Sequence, residues 1–166
     1  MLVKTQKARV GTLKYLIGIG SNLGDREKNI EQALSSLEDC GVLLSRSSLY
    51  ENPALLHPDN PEPQPDFLNA VVEIKSDLSP EELLEELQSV EEKLGRVCSQ
   101  SPWQARTIDL DIIASEKLVL DKDRLKIPHP EMQKRLFVLE PLAEICPDWV
   151  HPISGKSINE LISSIK

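Results

Sequence analysis

Apolar positions along the chain change their spacing several times, and each change marks an element boundary. Residues 15–20 form a short apolar run, which predicts a buried first strand ending in the glycine-bounded turn Ser21-Asn22-Leu23-Gly24-Asp25. Ile30, Ala33, Leu34 and Leu37 then recur at helical spacing with charges on the other side, so this helix should lie on a sheet. Gly41 closes the connection, and residues 42–50 predict a second strand. Pro53, Pro58, Pro61, Pro63 and Pro65 exclude regular structure over residues 51–66, because each lacks an N–H and pushes its predecessor towards extended geometry. Loops this long inside compact domains are more often functional than idle. Residues 67–74 predict a third strand, antiparallel to the second across that loop.

Ser79-Pro80-Glu81-Glu82 has the signature of a helix start, with Ser as N-cap, Pro at the first helical position and Glu at the capping-box position. Leu83, Leu87, Val90 and Leu94 supply its buried stripe, and Gly95 is placed to stop it. A polar loop over residues 96–105 leads to a fourth strand at 107–113. The order strand, helix, strand, strand, helix, strand predicts an α+β fold with a ferredoxin-like core, an antiparallel sheet with the two helices on one face. The remainder decorates that core: a short strand or hairpin within 117–128, short helices at 130–135 and 139–145, and an amphipathic helix at 158–165.

Alternation along the fourth strand puts Ile108, Leu110 and Ile112 on one side and Thr107, Asp109 and Asp111 on the other. Two carboxylates then stand about 7 Å apart on one face, close enough to hold metal ions between them. The competing reading is a half-exposed edge strand carrying solvated acids. Context favours the first. Arg96, Trp103 and Arg106 lie just upstream, and cations for phosphate beside carboxylates for metal are what a metal-nucleotide site requires.

Composition narrows the classes. The 166 residues suit one domain, residues 14–166, preceded by a loose, disordered extension at 1–13, and 40% apolar with 28% charged content is that of a globular chain. A formal charge of -8 argues against a broad nucleic-acid surface, which needs Lys and Arg to neutralise phosphates, but leaves room for a local basic pocket. Cys40, Cys98 and Cys146 are odd in number and widely separated, so neither a disulfide framework nor a zinc site is expected. The apolar patch after Lys4, Lys7, Arg9 and Lys14 is too short for a signal peptide and no run approaches the roughly 20 residues of a membrane span, so a cytoplasmic protein with no membrane partner is expected.

Other motifs weaken on inspection. Gly18-x-Gly20-x-x-x-Gly24 carries its third glycine one residue late for a dinucleotide fingerprint, and Gly155-Lys156-Ser157 lacks the upstream glycine and strand of a P-loop. The glycines more simply serve the turn and tight strand packing. His57, His129 and His151 form no ligand pair, and His57 and His151 read as surface loop residues. His129, with Arg124, Lys126 and Arg135 nearby, sits in a second basic cluster, which solvated surface cations would equally explain.

Gly20-Ser21-Asn22-Leu23-Gly24, Tyr50 with Asn52-Pro53, Pro65-Asp66-Phe67-Leu68-Asn69, Glu91 with Gly95-Arg96, Trp103 with Arg106-Thr107-Ile108-Asp109-Leu110-Asp111-Ile112, and Pro128-His129 with Met132 and Arg135 follow one another in a set order. Together they resemble the 6-hydroxymethyl-7,8-dihydropterin pyrophosphokinase family over nearly the whole chain after residue 14. The resemblance implies a folate-biosynthesis enzyme that transfers pyrophosphate from ATP to the pterin hydroxymethyl group and releases AMP. It implies that Asp109 and Asp111 bind two Mg²⁺ ions, with Arg96 and Arg106 catalytic beside them. Asn52, Pro53, Leu55, Phe67, Asn69, Trp103 and Phe137 would take the pterin, Phe67 and Phe137 sandwiching its ring. Gln88, Glu91, Ile112, Arg124, Lys126, His129 and Arg135 would line the ATP site. Arg96, Trp103 and Arg106 would belong to a loop that closes over the nucleotide, and a monomer is expected.

The chain departs from that pattern at Cys98, Ser99 and Pro102, where relatives commonly carry further basic residues, and at Gln104-Ala105 in place of Gly-Pro; the loop at 57–65 is also longer. These departures keep a second reading open, a catalytically weak relative that binds pterin or nucleotide. A ferredoxin-like nucleic-acid module is the third, disfavoured by the acids on the fourth strand.

Overall fold

A computed structural model describes residues 11–59, 61–97, 103–116 and 118–166. Residues 1–10 of the expected extension, and Cys98, Ser99 and Pro102 of the closing loop, lie outside the described residues. The elements are β1 (Leu13–Ser21), α1 (Arg26–Leu37), β2 (Val42–Arg46), β3 (Tyr50–Asn52), β4 (Phe67–Ser76), α2 (Pro80–Lys93), β5 (Asp109–Ser115), β6 (Leu120–Lys122), β7 (Leu125–Ile127), a 3-10 turn (Met132–Lys134), α3 (Leu136–Ile145) and α4 (Ile158–Ile165). The sheet runs β2-β4-β1-β5 with every pair antiparallel, and β6 and β7 form a separate hairpin. This is the expected α+β, ferredoxin-like strand order.

Local chemistry explains the helix ends. The Ser79 hydroxyl accepts from the Glu82 amide at 3.2 Å while the Glu82 carboxylate accepts from the Ser79 amide at 2.9 Å, a complete capping box on α2. Gly95 follows that helix at φ +89°, a conformation open to glycine and strained for other residues. Asp25 caps α1 by accepting from the Lys28 amide at 3.1 Å.

The structure differs from the sequence reading in several places. The expected second strand, 42–50, is broken in two. At Ser47 the backbone amide donates to the Val71 carbonyl at 2.9 Å, and the Ser47 hydroxyl accepts from the Val71 amide at 3.0 Å. A serine oxygen thus replaces one rung of the ladder, and the chain resumes pairing as β3, with Tyr50 opposite Asn69 and Asn52 opposite Phe67. The proline-rich loop therefore starts after Asn52. β1 begins at Leu13, opposite Ser76, so the last residue of the expected extension belongs to the sheet. Helix α3 starts at Leu136 rather than 139 and carries Pro141 in its interior.

Helices cover both faces of the sheet, not one. Tyr15, Ile17 and Ile19 of β1, Val72 and Ile74 of β4, and Leu110 and Ile112 of β5 pack with Ile30, Leu37, Leu83 and Leu87 of α1 and α2. On the other face Leu16, Val71, Ile113 and Ala114 pack with Met132, Val138, Leu139 and Leu142, and with Ile158 and Leu161 of α4. The C-terminal segment is thus a second layer, because its own apolar stripes need a surface to bury against. It covers only one end of that face. Among the described residues no helix is long and apolar enough to cross a membrane.

Candidate active site

Beyond the edge of the α3–α4 layer the second face of the sheet changes character. Where β1 offers Leu16 under the helices, two and four residues on it offers Gly18 and Gly20, and β4 offers Phe67 and Asn69. A cavity of about 320 Å³ opens there, floored by those residues and by Asp109 and Asp111, and walled by Asn52, Pro53, Leu55, Trp103, Arg106, His129, Arg135 and Phe137. The glycines make the room. A Cβ on Gly20 would stand 2.8 Å from Asn69 Oδ1 and 3.4 Å from the Phe67 ring, and one on Gly18 would stand 3.0 Å from Ile113 Cδ1.

The strand alternation read from the sequence fixes the floor. Ile108, Leu110 and Ile112 all enter the core beneath α1 and α2, while Asp109 and Asp111 line the cavity. Asp109 Oδ1 accepts from Nη1 of both Arg96 and Arg106 at 3.0 Å. Arg96 also pairs with Glu91 at 2.5 Å, so it bridges two carboxylates. Glu91 is buried and accepts from the Leu110 amide at 2.7 Å; burial raises its pKa against the pull of that amide and of Arg96. Burial first, then the negative charges of Asp109 and Glu91, push the Asp111 carboxyl up to about 7, against the opposing pull of Arg135 and Arg106.

At the other wall Asn69 Nδ2 donates to Asn52 Oδ1 at 2.5 Å, and the Arg135 guanidinium lies 5.7 Å from the Phe137 ring centroid. His129 leaves the β6–β7 hairpin with its amide donating to the Ile113 carbonyl at 2.8 Å. Its Nδ1 accepts from the Glu131 amide at 3.2 Å, so the neutral ring carries its proton on Nε2. Burial, then Arg135, lowers the pKa of this imidazole.

All seven residues named for the pterin, Asn52, Pro53, Leu55, Phe67, Asn69, Trp103 and Phe137, line this one cavity, together with Arg106, Asp109, Asp111, His129 and Arg135. Gln88, Arg124 and Lys126 are exposed outside it, Lys126 paired with Asp121 at 3.0 Å, and Ile112 faces the core. Sequence reasoning gave no role to Asn22. Fully buried, it accepts from the Arg106 amide through Oδ1 at 2.7 Å and donates through Nδ2 to Gln64 and to the Pro65 carbonyl, both at 3.2 Å. Gln64 donates in turn to the Trp103 carbonyl. One asparagine therefore ties the turn after β1 to both loops that border the cavity; the sequence signals were a polar amide directly after a buried strand and its place in the Gly20–Gly24 string.

A family model described as 7,8-dihydro-6-hydroxymethylpterin-pyrophosphokinase matches residues 16–147. The chain is 42% identical over 151 residues to the 2-amino-4-hydroxy-6-hydroxymethyldihydropteridine pyrophosphokinase of Synechocystis sp., covering 90% of this chain and 75% of that protein. It is 46% identical over 132 residues to the protein of that name from Bacillus subtilis, covering 78% and 76%. Similarity to the folic acid synthesis protein of Pneumocystis carinii, 41% over 152 residues, covers 90% of this chain and only 20% of that much longer protein. The crystal structure of wild-type Plasmodium falciparum HPPK-DHPS with pteroate superposes with a TM-score of 0.70 over 95% of this chain and 43% of that one, at 15% identity, a likeness of fold. With its fold, its cavity and a family match across most of its length, the chain belongs to the 7,8-dihydro-6-hydroxymethylpterin-pyrophosphokinase family.

Proposed function

We propose that this protein transfers the pyrophosphoryl group of ATP to the hydroxymethyl oxygen of 6-hydroxymethyl-7,8-dihydropterin, a step of folate biosynthesis. The new bond joins that oxygen to the β-phosphorus. The bond from the β-phosphorus to the oxygen bridging it to the α-phosphate breaks, AMP leaves with the electron pair, and the hydroxyl proton passes to solvent. What carries the reading is the lining of one cavity, which brings paired carboxylates and arginines together with two phenylalanines and two asparagines.

The volume of about 320 Å³ suits a bicyclic ring and not a ring and a nucleotide together. The pterin accordingly lies between Phe67 and Phe137, with Asn69 and Asn52 at its polar edge and Pro53, Leu55 and Trp103 around it. The nucleotide lies outward, against His129 and Arg135 and towards Gln88, Glu91, Arg124 and Lys126, with Ile112, whose side chain faces the core, offering only its backbone. Neutral His129 donates through Nε2 to a phosphate oxygen. Arg96 and Arg106, which hold Asp109 from both sides, turn to the phosphates as these arrive, exchanging one set of anionic oxygens for another.

The donor set fits Mg²⁺. Asp109 and Asp111 are hard oxygen donors lining one cavity, and Mg²⁺ would take its remaining ligands from water and substrate phosphates. In our reading Asp109 and Asp111 would hold two ions, which would supply Lewis-acid polarisation of the phosphoryl group. The test is AMP release with the pterin, ATP and Mg²⁺, comparing wild type with Asp109→Ala. A fall of about 10²-fold or more is expected for removing charge stabilisation of this kind, and equal turnover in both would remove the metal assignment. Asp109→Ala should also lose Mg²⁺-dependent ATP binding in calorimetry.

A further inference from the structure

We infer that Tyr50 and Glu144 form a clamp that sets the distance between the two walls of the pterin-binding slot, making them positioning residues for the pterin and not for the nucleotide. The inference rests on the reading of the cavity given above. Glu144, near the end of α3, receives three hydrogen bonds across to the other side of the break in the edge strand. Its Oε1 accepts from the Ser48 amide at 2.9 Å and the Ser48 hydroxyl at 2.8 Å, and its Oε2 accepts from the Tyr50 hydroxyl at 2.7 Å. No role in the reaction has been given to any of the three residues. The Ser48 amide is available because the edge strand is interrupted at Ser47, between β2 and β3.

The geometry links these bonds to the slot. On α3, Phe137 and Glu144 are seven residues apart, which is close to two full turns, so they share a helix face about 10 Å apart along the axis. On β3, Tyr50 and Asn52 are two residues apart and share a strand face. Register places Tyr50 opposite Asn69 and Asn52 opposite Phe67, so all four stand on the cavity side of the sheet. One end of each matched pair, Phe137 and Asn52, lines the cavity; the other end, Glu144 and Tyr50, is bonded together. Holding the far ends together fixes how far Phe137 stands from Phe67 and Asn69. Three hydrogen bonds converging on one carboxylate, two from Ser48 in the break and one from Tyr50 on β3, fix both position and orientation.

The test uses the full chain with Tyr50→Phe, which removes the hydroxyl and keeps the ring, Glu144→Ala, Glu144→Gln and the double variant Tyr50→Phe/Glu144→Ala. Tyr50→Phe, which loses one of the three bonds, should raise KM for the pterin about fivefold, the factor equivalent to ~1 kcal/mol for one hydrogen bond, and Glu144→Ala, which loses all three, at least as much. KM for ATP and kcat should stay within about twofold of wild type, and the double variant should be no worse than Glu144→Ala, because coupled residues lose one shared interaction. Glu144→Gln keeps an acceptor oxygen for Ser48 and should recover part of the loss. Equal rises in both KM values, an additive double variant, or no change would overturn the clamp.

NMR of the ligand-free protein separates this proposal from the assignment of substrate. If the clamp exists, Tyr50→Phe moves the Asn52 and Asn69 side-chain amide signals and the Phe137 ring signals. Unchanged signals overturn it. Failure of wild type to convert the pterin would instead overturn the substrate, leaving the NMR comparison to decide the clamp.

Discussion

The two faces of the central sheet are built from the same strands and serve opposite ends. Beneath α1 and α2 the side chains of β1, β4 and β5 are apolar up to the buried serines Ser21 and Ser76 at the ends of β1 and β4, and the face is closed. On the other side the same strands begin apolar, with Leu16, Val71 and Ile113 under α3 and α4, and then change to Gly18, Gly20, Asn69, Asp109 and Asp111. The difference shows where selection for stability stops. A face covered end to end can bury only apolar groups without charge penalties, while a half-covered face can keep a bare, polar floor next to a packed core that holds it rigid.

If the faces divide stability from chemistry, substitutions should separate the two cleanly. The largest effect is expected for Asp111→Ala, which removes a cavity carboxylate and should lower kcat/KM by about 10³-fold, near the upper end for one electrostatic group. Thermal unfolding without metal should show no loss of stability, because a buried acid whose pKa is raised is a burden on the fold at neutral pH. A fall in Tm matching the fall in activity would break the division. On the closed face, Leu87→Ala, at a fully buried position of α2, should lose about 2–5 kcal/mol in urea unfolding. Its kcat/KM, measured well below its unfolding midpoint, should stay near that of wild type.

Gly20→Val tests the bare floor itself. Its Cβ would already stand 2.8 Å from Asn69 Oδ1, so calorimetry should show pterin affinity reduced by about tenfold or more, the scale of a poorly filled or blocked contact. ATP affinity should be nearly unchanged. The smallest effect lies away from both faces, at His151, which is 2% exposed and accepts through Nδ1 from the Ile153 and Ser154 amides at 3.3 and 3.1 Å. Burial lowers its pKa below the usual value of 6.5, so the unfolded chain binds the proton more readily. The stability it contributes is fully present above about pH 6.5 and is lost as pH falls towards its lower folded value. Tm should decline over that window, and His151→Asn should flatten the decline.

Legibility in the sequence followed the reach of each interaction. The capping box at Ser79, the stripe through Leu87 and the alternation that separates Leu110 from Asp111 are set by residues within a few positions of one another, and they stand in the structure as read. The break at Ser47 was invisible because the serine replaces a rung only once β4 lies beside it. His151 is an exception to reach: its ring caps the nearby Ile153 and Ser154 amides beside Trp149, a local turn that apolar spacing does not mark.

The sequence by itself determined the order of elements, the side of β5 on which the carboxylates stand, and the family, because periodicity, caps and motif order are local or linear properties of the chain. Tertiary structure alone decided that the C-terminal helices roof half of the second face and that Asn22 joins two loops. It also put Glu144 of α3 within reach of Tyr50 on β3, 94 residues away along the chain. Such contacts depend on how separate elements pack, and no spacing within one segment encodes the distance between two.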